Sequence, residues 1–140
     1  MITKTKSVGG VVINKKTGKV LVVSQNGNSW SLPKGKFEPG EKDGVEVAKR
    51  EIKEESGVTE LTFVKELPVY ERFMLGFNPK EEDKSHLKEI HMFLFETNQD
   101  ELKPEDPDNP EARWIEKLEV SKLLTHPKDK EFFEKVLKEI

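Results

Sequence analysis

The sequence predicts an α/β fold in which a mixed β-sheet is covered by helices on both faces. Short β-branched or aromatic runs are separated by turn residues, an amphipathic helical segment interrupts them, and a second helical segment closes the chain. Such elements bury their apolar sides best when the sheet lies between helices. A length of 140 residues is typical of one domain, so we expect a single domain over residues 1–140.

Seven segments have the composition of β-strands. Each is rich in β-branched or aromatic residues and is bounded by glycine, proline or polar turn residues. The predicted strands are residues 8–13, 19–23, 30–32, 61–64, 69–77, 89–97 and 112–115. The first two should pair as a hairpin that is covered on both faces, because both runs are nearly continuously apolar. The sixth alternates most regularly, with Ile90, Met92 and Leu94 on one face.

Two segments have helical periodicity. The first helix is predicted from about Gly44 to Ser56, with Gly57 as its C-cap. The second is predicted from about Lys128 to Ile140. Three polar segments with prolines or glycines are predicted as loops, at residues 34–44, 79–88 and 103–110.

The composition excludes several classes of function. The chain has no cysteine, which excludes disulfides, thiolate metal sites and cysteine nucleophiles. A net charge of −3, from 27 acidic and 24 basic residues, argues against binding of duplex nucleic acid. The sequence has neither the apolar length of a membrane span nor an N-terminal signal-peptide core. We therefore expect a cytoplasmic protein without a membrane partner, as a monomer or homodimer.

The first predicted helix carries a group of neighbouring carboxylates. Glu51, Glu54 and Glu55 have i, i+3 and i, i+4 spacings, which place them along one flank of the apolar stripe. Like charges that border a core are costly unless a cation neutralises them, and magnesium prefers such oxygen ligands. Arg50 is close enough in sequence to orient one carboxylate. A solvated, salt-bridged helix face explains the same pattern, so the helix alone leaves both interpretations open.

The segment before this helix favours the metal site. Gly35 and Glu41 are separated by five residues, and residues 50–58 read Arg-Glu-Ile-Lys-Glu-Glu-Ser-Gly-Val. Together they resemble the Nudix box of a hydrolase family. That motif begins with a glycine, followed after five residues by a glutamate. Seven further residues then lead to the sequence Arg-Glu-aliphatic-x-Glu-Glu-x-Gly-aliphatic. Other segments that resemble family elements are residues 30–35, 91–95 and 111–115.

One position departs from the family pattern. Eight residues, instead of seven, separate the first glutamate of the box from its arginine. Asp43, followed three residues later by Glu46, predicts a capping box that begins the helix. Family members usually place the N-cap directly after the residue that corresponds to Glu41. We therefore interpret Lys42 as an insertion in the loop, which preserves the register of the helix but affects Glu41 and the carbonyl near Gly35.

The resemblance implies a Nudix-like α/β/α sandwich with a mixed β-sheet. It also implies a hydrolase that cleaves a diphosphate linkage with the help of Mg²⁺ or Mn²⁺. The implied catalytic residues are Arg50, Glu51, Glu54 and Glu55. The implied metal ligands are the Gly35 carbonyl, Glu51, Glu54, Glu55 and, from outside the box, Glu111.

The expected substrate is a small nucleotide. The tripeptide Pro33-Lys34-Gly35 resembles the one found in a particular branch of the family. Members of that branch hydrolyse dinucleoside polyphosphates, diphosphoinositol polyphosphates or capped RNA ends. Diadenosine tetraphosphate is the leading expectation. The candidate substrate-binding residues are Lys34 and Lys84 for phosphates, and Tyr70 and Phe73 for stacking on a base.

Alternatives remain open for these residues and for the function. The candidate lysines are also explained as ordinary surface residues, and the candidate aromatics as core residues. Lys80, His86 and Lys88, the other cationic residues in the predicted loop 79–88, are interpreted mainly as surface residues. The function alternatives are a hydrolase of surplus nucleoside triphosphates and a catalytically silent binding module.

Overall fold

The computed structural model describes residues 2–25, 29–75, 82–105 and 111–140. In these ranges the chain forms one mixed sheet and three α-helices. The strands are β1 (Thr3–Asn14), β2 (Val20–Gln25), β3 (Ser29–Ser31), β4 (Lys34–Lys36), β5 (Thr62–Glu66), β6 (Tyr70–Leu75), β7 (Glu82–Thr97) and β8 (Glu111–Ile115). The helices are α1 (Gly44–Ser56), α2 (Val120–Leu123) and α3 (Pro127–Val136), with 3₁₀ turns at Lys117–Glu119 and Leu137–Glu139.

The two long strands β1 and β7 run parallel at the centre of the sheet. Strands β5 and β6 pair with β7, and β3 and β8 pair with β2. Both β2 and β4 pair antiparallel with β1, but β2 joins it at Ile13 and β4 joins it at residues 7–9. On this side, β1 therefore pairs with β2 near its C-terminal end and with β4 nearer its N-terminal end. The loop that leads from β4 into α1 starts from the second of these pairings.

Helices cover both faces of the sheet, which confirms the predicted α/β/α sandwich. On the first face, Ala48 and Ile52 of α1 belong to one apolar core with Phe95 of β7. On the second face, Phe133 of α3 belongs to another core with Met92 of β7. We call these the α1 face and the α3 face. Every helix in the described ranges is too short or too polar to span a lipid bilayer.

Two segments predicted as loops contain strands. Residues Lys34–Lys36 form β4, and residues 82–88 form the first part of β7. These strands were not predicted because their residues are mostly charged and lack apolar alternation. Backbone hydrogen bonds to neighbouring strands hold such a segment in the sheet whatever its side chains are. Helix α2 was not predicted. The remaining predicted loop residues 79–81 and 106–110, the predicted turn residues 26–28, and Gly76 and Phe77 of a predicted strand lie outside the described residues.

Helix α1 begins and ends where the sequence predicts. Asp43 is the N-cap, and its side chain accepts a hydrogen bond from the Val45 N–H at 2.9 Å. No hydrogen bond from the Asp43 N–H to the Glu46 side chain, the second bond of a capping box, is found among the described residues, and Glu46 lies 3.8 Å from Lys49 in an ion pair. Gly57 ends the helix with a φ of 82°, a left-handed conformation that favours glycine.

Deletion of Lys42 is expected to leave α1 in its present register. Lys42 is exposed in the loop, and the helix is begun by Asp43. Shortening a surface loop by one residue should change the free energy of unfolding by less than about 1 kcal/mol. Hydrogen exchange of the α1 amides measures the register directly. A melted or shifted helix in the deletion variant would contradict our placement of the insertion.

Candidate active site

Arg50 joins the carboxylates of the loop to those of helix α1. Its Nε and Nη2 donate to the two oxygens of Glu41 at 2.7 and 2.8 Å. Its Nη1 lies 2.8 Å from Glu51 Oε1 and 3.2 Å from each carboxylate oxygen of Glu54. Nη2 also donates to the Lys36 carbonyl at 3.0 Å. The planar guanidinium therefore holds loop and helix together through several charge-assisted hydrogen bonds.

The inserted residue does not separate Glu41 from the arginine. Glu41 also accepts the backbone N–H of Glu38 at 2.7 Å. The hydrogen bond from Arg50, followed by the one from the Glu38 backbone, lowers the pKa of Glu41. The hydrogen bond with Glu41 in turn contributes most to the raised pKa of Arg50. Both groups are therefore held in their charged forms.

Glu51 lies against the backbone of β4 at Gly35. A Cβ added to Gly35 would lie only 2.1–2.4 Å from the carboxyl atoms of Glu51. The side chain of Glu51 is 14% exposed, and burial raises its pKa while the hydrogen bond from Arg50 opposes that shift. The absence of a side chain at Gly35 thus makes the space that this carboxylate fills.

Glu55 is the most deeply buried acid of α1. The residue is 2% exposed, and its Oε2 accepts the backbone N–H of Lys34 at 3.1 Å. Glu54, in contrast, has a side chain that is 37% exposed. Because Glu55 and Glu51 both reach β4, the short strand that the sequence did not predict forms one wall of the site.

The carboxylates fit a divalent cation in charge and in ligand type. Four acids, Glu38, Glu41, Glu51 and Glu54, lie within ion-pair distance of the single guanidinium of Arg50. Their oxygens are the ligands that Mg²⁺ and Mn²⁺ prefer. No three acidic or histidine side chains of the described residues already converge as a ligand set. Arg50 Nη1 lies between Glu51 and Glu54, so a cation bound by both would compete with it for their oxygens.

Three cationic side chains lie together on the α3 face, and we call Lys34, Arg72 and Lys88 the cationic cluster. Arg72 and Lys88 are direct partners on β6 and β7. Lys34 pairs with Gly9, which pairs with Met92 of the α3-face core. Residues that pair directly across strands share a face. Lys34 and Arg72 are 6% and 8% exposed.

The members of the cationic cluster affect one another. Burial, followed by the nearby Arg72, lowers the pKa of Lys34 to about 8. Burial and then Arg72 also lower the pKa of Lys88. The buried carboxylates that interact with both lysines are Asp129 and Glu55. When all five side chains are charged, this part of the site has one more positive than negative charge.

The two aromatic candidates lie on β6. The ring of Tyr70 stacks on Phe132 of α3, with centroids 4.5 Å apart, and its hydroxyl donates to Asp129 at 2.6 Å. The Phe73 side chain is partly buried, and its carbonyl accepts a hydrogen bond from His126 Nε2 at 2.9 Å. Both residues thus contact the same end of α3.

Among the described residues, Lys84 and Glu111 form no hydrogen bond or ion pair with the acids of α1. Lys84 is exposed on β7. Glu111 begins β8 and forms an ion pair with Arg113.

Arg72 and Asp129 did not emerge as candidates from the sequence. Arg72 stands between aromatic residues of a strand, and Asp129 stands in a helix rich in charges. A charged residue on the buried face of a strand is unusual, and this feature of Arg72 could have marked it as a candidate site residue. Arg72 is two residues beyond Tyr70, so both point to the same face of β6.

Comparisons with known proteins agree with this geometry. The family model described as NUDIX domain matches residues 3–136. An RNA pyrophosphohydrolase of Pelagibacter ubique is 31% identical over 82% of this chain and 78% of that protein. The structure of a C. elegans Ap4A hydrolase binary complex is 25% identical, with a TM-score of 0.72 over 94% of this chain and 93% of that chain. The E. coli dihydroneopterin triphosphate pyrophosphohydrolase superposes over 100% of both chains with a TM-score of 0.76, and at 16% identity this is a likeness of fold.

Proposed function

The chain belongs to the Nudix family and is a hydrolase of phosphoric anhydride bonds, and from this premise we propose that its substrate is a dinucleoside polyphosphate such as diadenosine tetraphosphate. The position of Lys34 carries the proposal. Its backbone N–H is bound by Glu55 of the box, while its side chain belongs to the cationic cluster. One residue therefore connects the acids at the bond to be cleaved with cations for the rest of a phosphate chain.

The acids of α1 are the proposed metal site. Glu51, Glu54, Glu55 and the Gly35 carbonyl are the proposed ligands of Mg²⁺ or Mn²⁺, with Glu111 as a further candidate. A bound divalent ion supplies neutralisation of phosphate charge and activation of the attacking water. Arg50 holds Glu51 and Glu54 in place through its bonds at 2.8 and 3.2 Å. Burial of Glu55 keeps its carboxylate in one orientation against β4.

The cationic cluster is the proposed site for the phosphates beyond the cleaved bond. A polyphosphate chain carries several negative charges, so positioned cations bind the phosphates that lie outside the cleaved bond. A surplus buried positive charge is itself stabilised when an anion binds. Phe73 remains our proposed base-stacking residue and Lys84 an outer phosphate contact. Tyr70 is already stacked on Phe132, so we assign it to packing and to its bond with Asp129.

An RNA with a 5′-polyphosphate is the second candidate substrate. The observation that favours it is the 31% identity with an RNA pyrophosphohydrolase. Both substrates present a phosphate chain attached to a nucleoside, so the acids of α1 and the cationic cluster suit either. The two differ in the group at the far end of the molecule, which is a second nucleoside in one and further nucleotides in the other.

A substrate panel tests the proposal. Purified protein with Mg²⁺ or Mn²⁺ is given diadenosine tetraphosphate, a 5′-triphosphorylated RNA, ATP and ADP-ribose, and products are identified by mass. We expect the highest kcat/KM for diadenosine tetraphosphate, by about tenfold or more. A higher value for the RNA would replace the first substrate with the second. Pyrophosphate and a monophosphate from ATP as the preferred reaction would support a triphosphate hydrolase. Turnover of no compound would support a silent binding module.

A further inference from the structure

A buried carboxylate ties the beginning of α3 to strand β6. Asp129 is 2% exposed, and its Oδ1 accepts the Tyr70 hydroxyl at 2.6 Å and lies 3.2 Å from Arg72 Nε. Its other oxygen, Oδ2, is buried and has no hydrogen-bond partner among the described residues. A half-satisfied buried carboxylate costs stability, so its presence calls for a reason other than packing.

Asp129 has little freedom to move relative to the sheet. It lies in the first turn of α3, where a negative charge interacts favourably with the helix dipole. The N-cap of that helix, His126, accepts the Lys128 N–H at 3.1 Å and donates to the Phe73 carbonyl at 2.9 Å. With Tyr70 stacked on Phe132 in the next turn, several contacts hold this end of α3 on β6.

Asp129 engages only one edge of the Arg72 guanidinium. The ion pair involves Nε, and within the described part of the chain no group bonds Nη1 or Nη2. Nε itself has no hydrogen-bond partner among the described residues, so its contact with Asp129 is an ion pair by distance alone. Nη1 and Nη2 are not among the buried atoms without a partner, so this edge of the guanidinium is accessible. An arginine held along one edge presents a rigid fork of donors that matches a phosphate. Lys34 and Lys88 lie beside it on the same face.

We propose that Asp129 is a positioning residue, which holds Arg72 so that its Nη edge binds a phosphate of the substrate chain. This inference rests on the proposed function, because the ligand is the polyphosphate of that reaction. It assigns to the C-terminal helix a role in substrate affinity. Arg72 would be a specificity-determining residue for long phosphate chains, since it lies on the face opposite α1.

Two roles for Asp129, as a countercharge or as a positioning residue, predict opposite changes in anion affinity when its charge is removed. If Asp129 were only a countercharge, Asp129→Asn would make the pocket more positive and would tighten the binding of an anion. If Asp129 positions Arg72, the same substitution releases the guanidinium and weakens the binding. The sign of the change therefore distinguishes the two roles.

The test is calorimetric titration of the purified chain with inorganic tripolyphosphate, at low ionic strength and with EDTA. We expect Arg72→Gln to weaken tripolyphosphate binding about tenfold or more, since a charge-assisted pair is lost. Asp129→Asn should weaken it severalfold in the wild-type background and not in the Arg72→Gln background, because Asp129 acts through Arg72. Tighter or unchanged binding in Asp129→Asn would overturn the inference, as would failure of the wild type to bind.

Two further variants guard against a loss of folding. Tyr70→Phe removes one hydroxyl and keeps the carboxylate, so a severalfold weaker affinity is expected in a folded protein, and an unchanged affinity would count against the role of this network. Glu131→Gln removes an exposed acid from the same helix and should leave the affinity unchanged. Thermal unfolding of each variant confirms that it is folded.

Kinetics with a hydrolysed nucleotide give a second readout. Asp129→Asn should raise KM severalfold and change kcat much less, because a contact outside the cleaved bond contributes uniformly to binding. The titration needs no turnover, so it stands even if diadenosine tetraphosphate is not the substrate. Conversely, hydrolysis of that compound with unaltered tripolyphosphate binding in Arg72→Gln would reject only the role of Arg72 and Asp129.

Discussion

Glu55→Gln is expected to lower metal-dependent turnover by roughly 10³-fold while the protein remains folded. The glutamine has the same size, and its side-chain oxygen can still accept the Lys34 N–H that Glu55 accepts at 3.1 Å. The substitution removes the anionic oxygen that a hard divalent ion requires. The measurement is kcat with Mg²⁺, together with thermal unfolding.

Glu46→Gln is the matched control for Glu55→Gln. Glu46 is an exposed acid of the same helix, paired with Lys49 instead of with the site. Its substitution removes the same charge from α1 and should leave kcat within about twofold of the wild type. Wild-type turnover in Glu55→Gln would mean that the metal-site assignment is wrong. Equal losses in both variants would point to the charge of the helix as a whole.

Gly35→Ala is expected to lower kcat about 100-fold with little loss of stability. The new methyl group would lie 2.1–2.4 Å from the carboxyl atoms of Glu51, so this carboxylate must move. It is the flexible end of a long side chain, and Gly35 does not have a positive φ, so the backbone accepts alanine. We expect the free energy of unfolding to change by less than about 1 kcal/mol. Activity and stability would thus separate in this variant.

Gly44→Ala is the corresponding control in the same region. Its Cβ would lie 3.3 Å from the Phe93 ring at the first residue of α1, away from the carboxylates. Turnover close to that of the wild type is expected. If Gly35→Ala retained full turnover, the position of Glu51 against β4 would not matter for the reaction. A chemical-denaturation series on both variants supplies the stability comparison.

Helix α1 and its acids could be predicted because their information is local. The apolar stripe, the N-cap at Asp43 and the glycine at its end lie within a short segment, and each acts through neighbours in sequence. Burial of the acids is also consistent with local periodicity, since Glu55 is about one turn from the buried Ile52. The box sequence indicated the chemistry of a helix whose charges alone were ambiguous.

Strand β4 and the first part of β7 could be identified only from the tertiary structure. Their residues are charged, and the backbone of β1, which pairs with both, makes them strands. Hydrogen bonds to a distant segment leave little trace in side-chain composition. The consequence reaches the site, because β4 brings the Lys34 N–H to Glu55 and the Gly35 backbone to Glu51.

By itself, the sequence determined the fold class, the position of α1 and the acids that identify the family. Only the tertiary structure decided that Arg72, Lys88 and Lys34 share one face, and that Asp129 from α3 lies against them. The physical reason is the range of the interactions. Helix periodicity and capping act over a few residues, whereas a buried cluster of charges depends on which strands become neighbours and how they are registered.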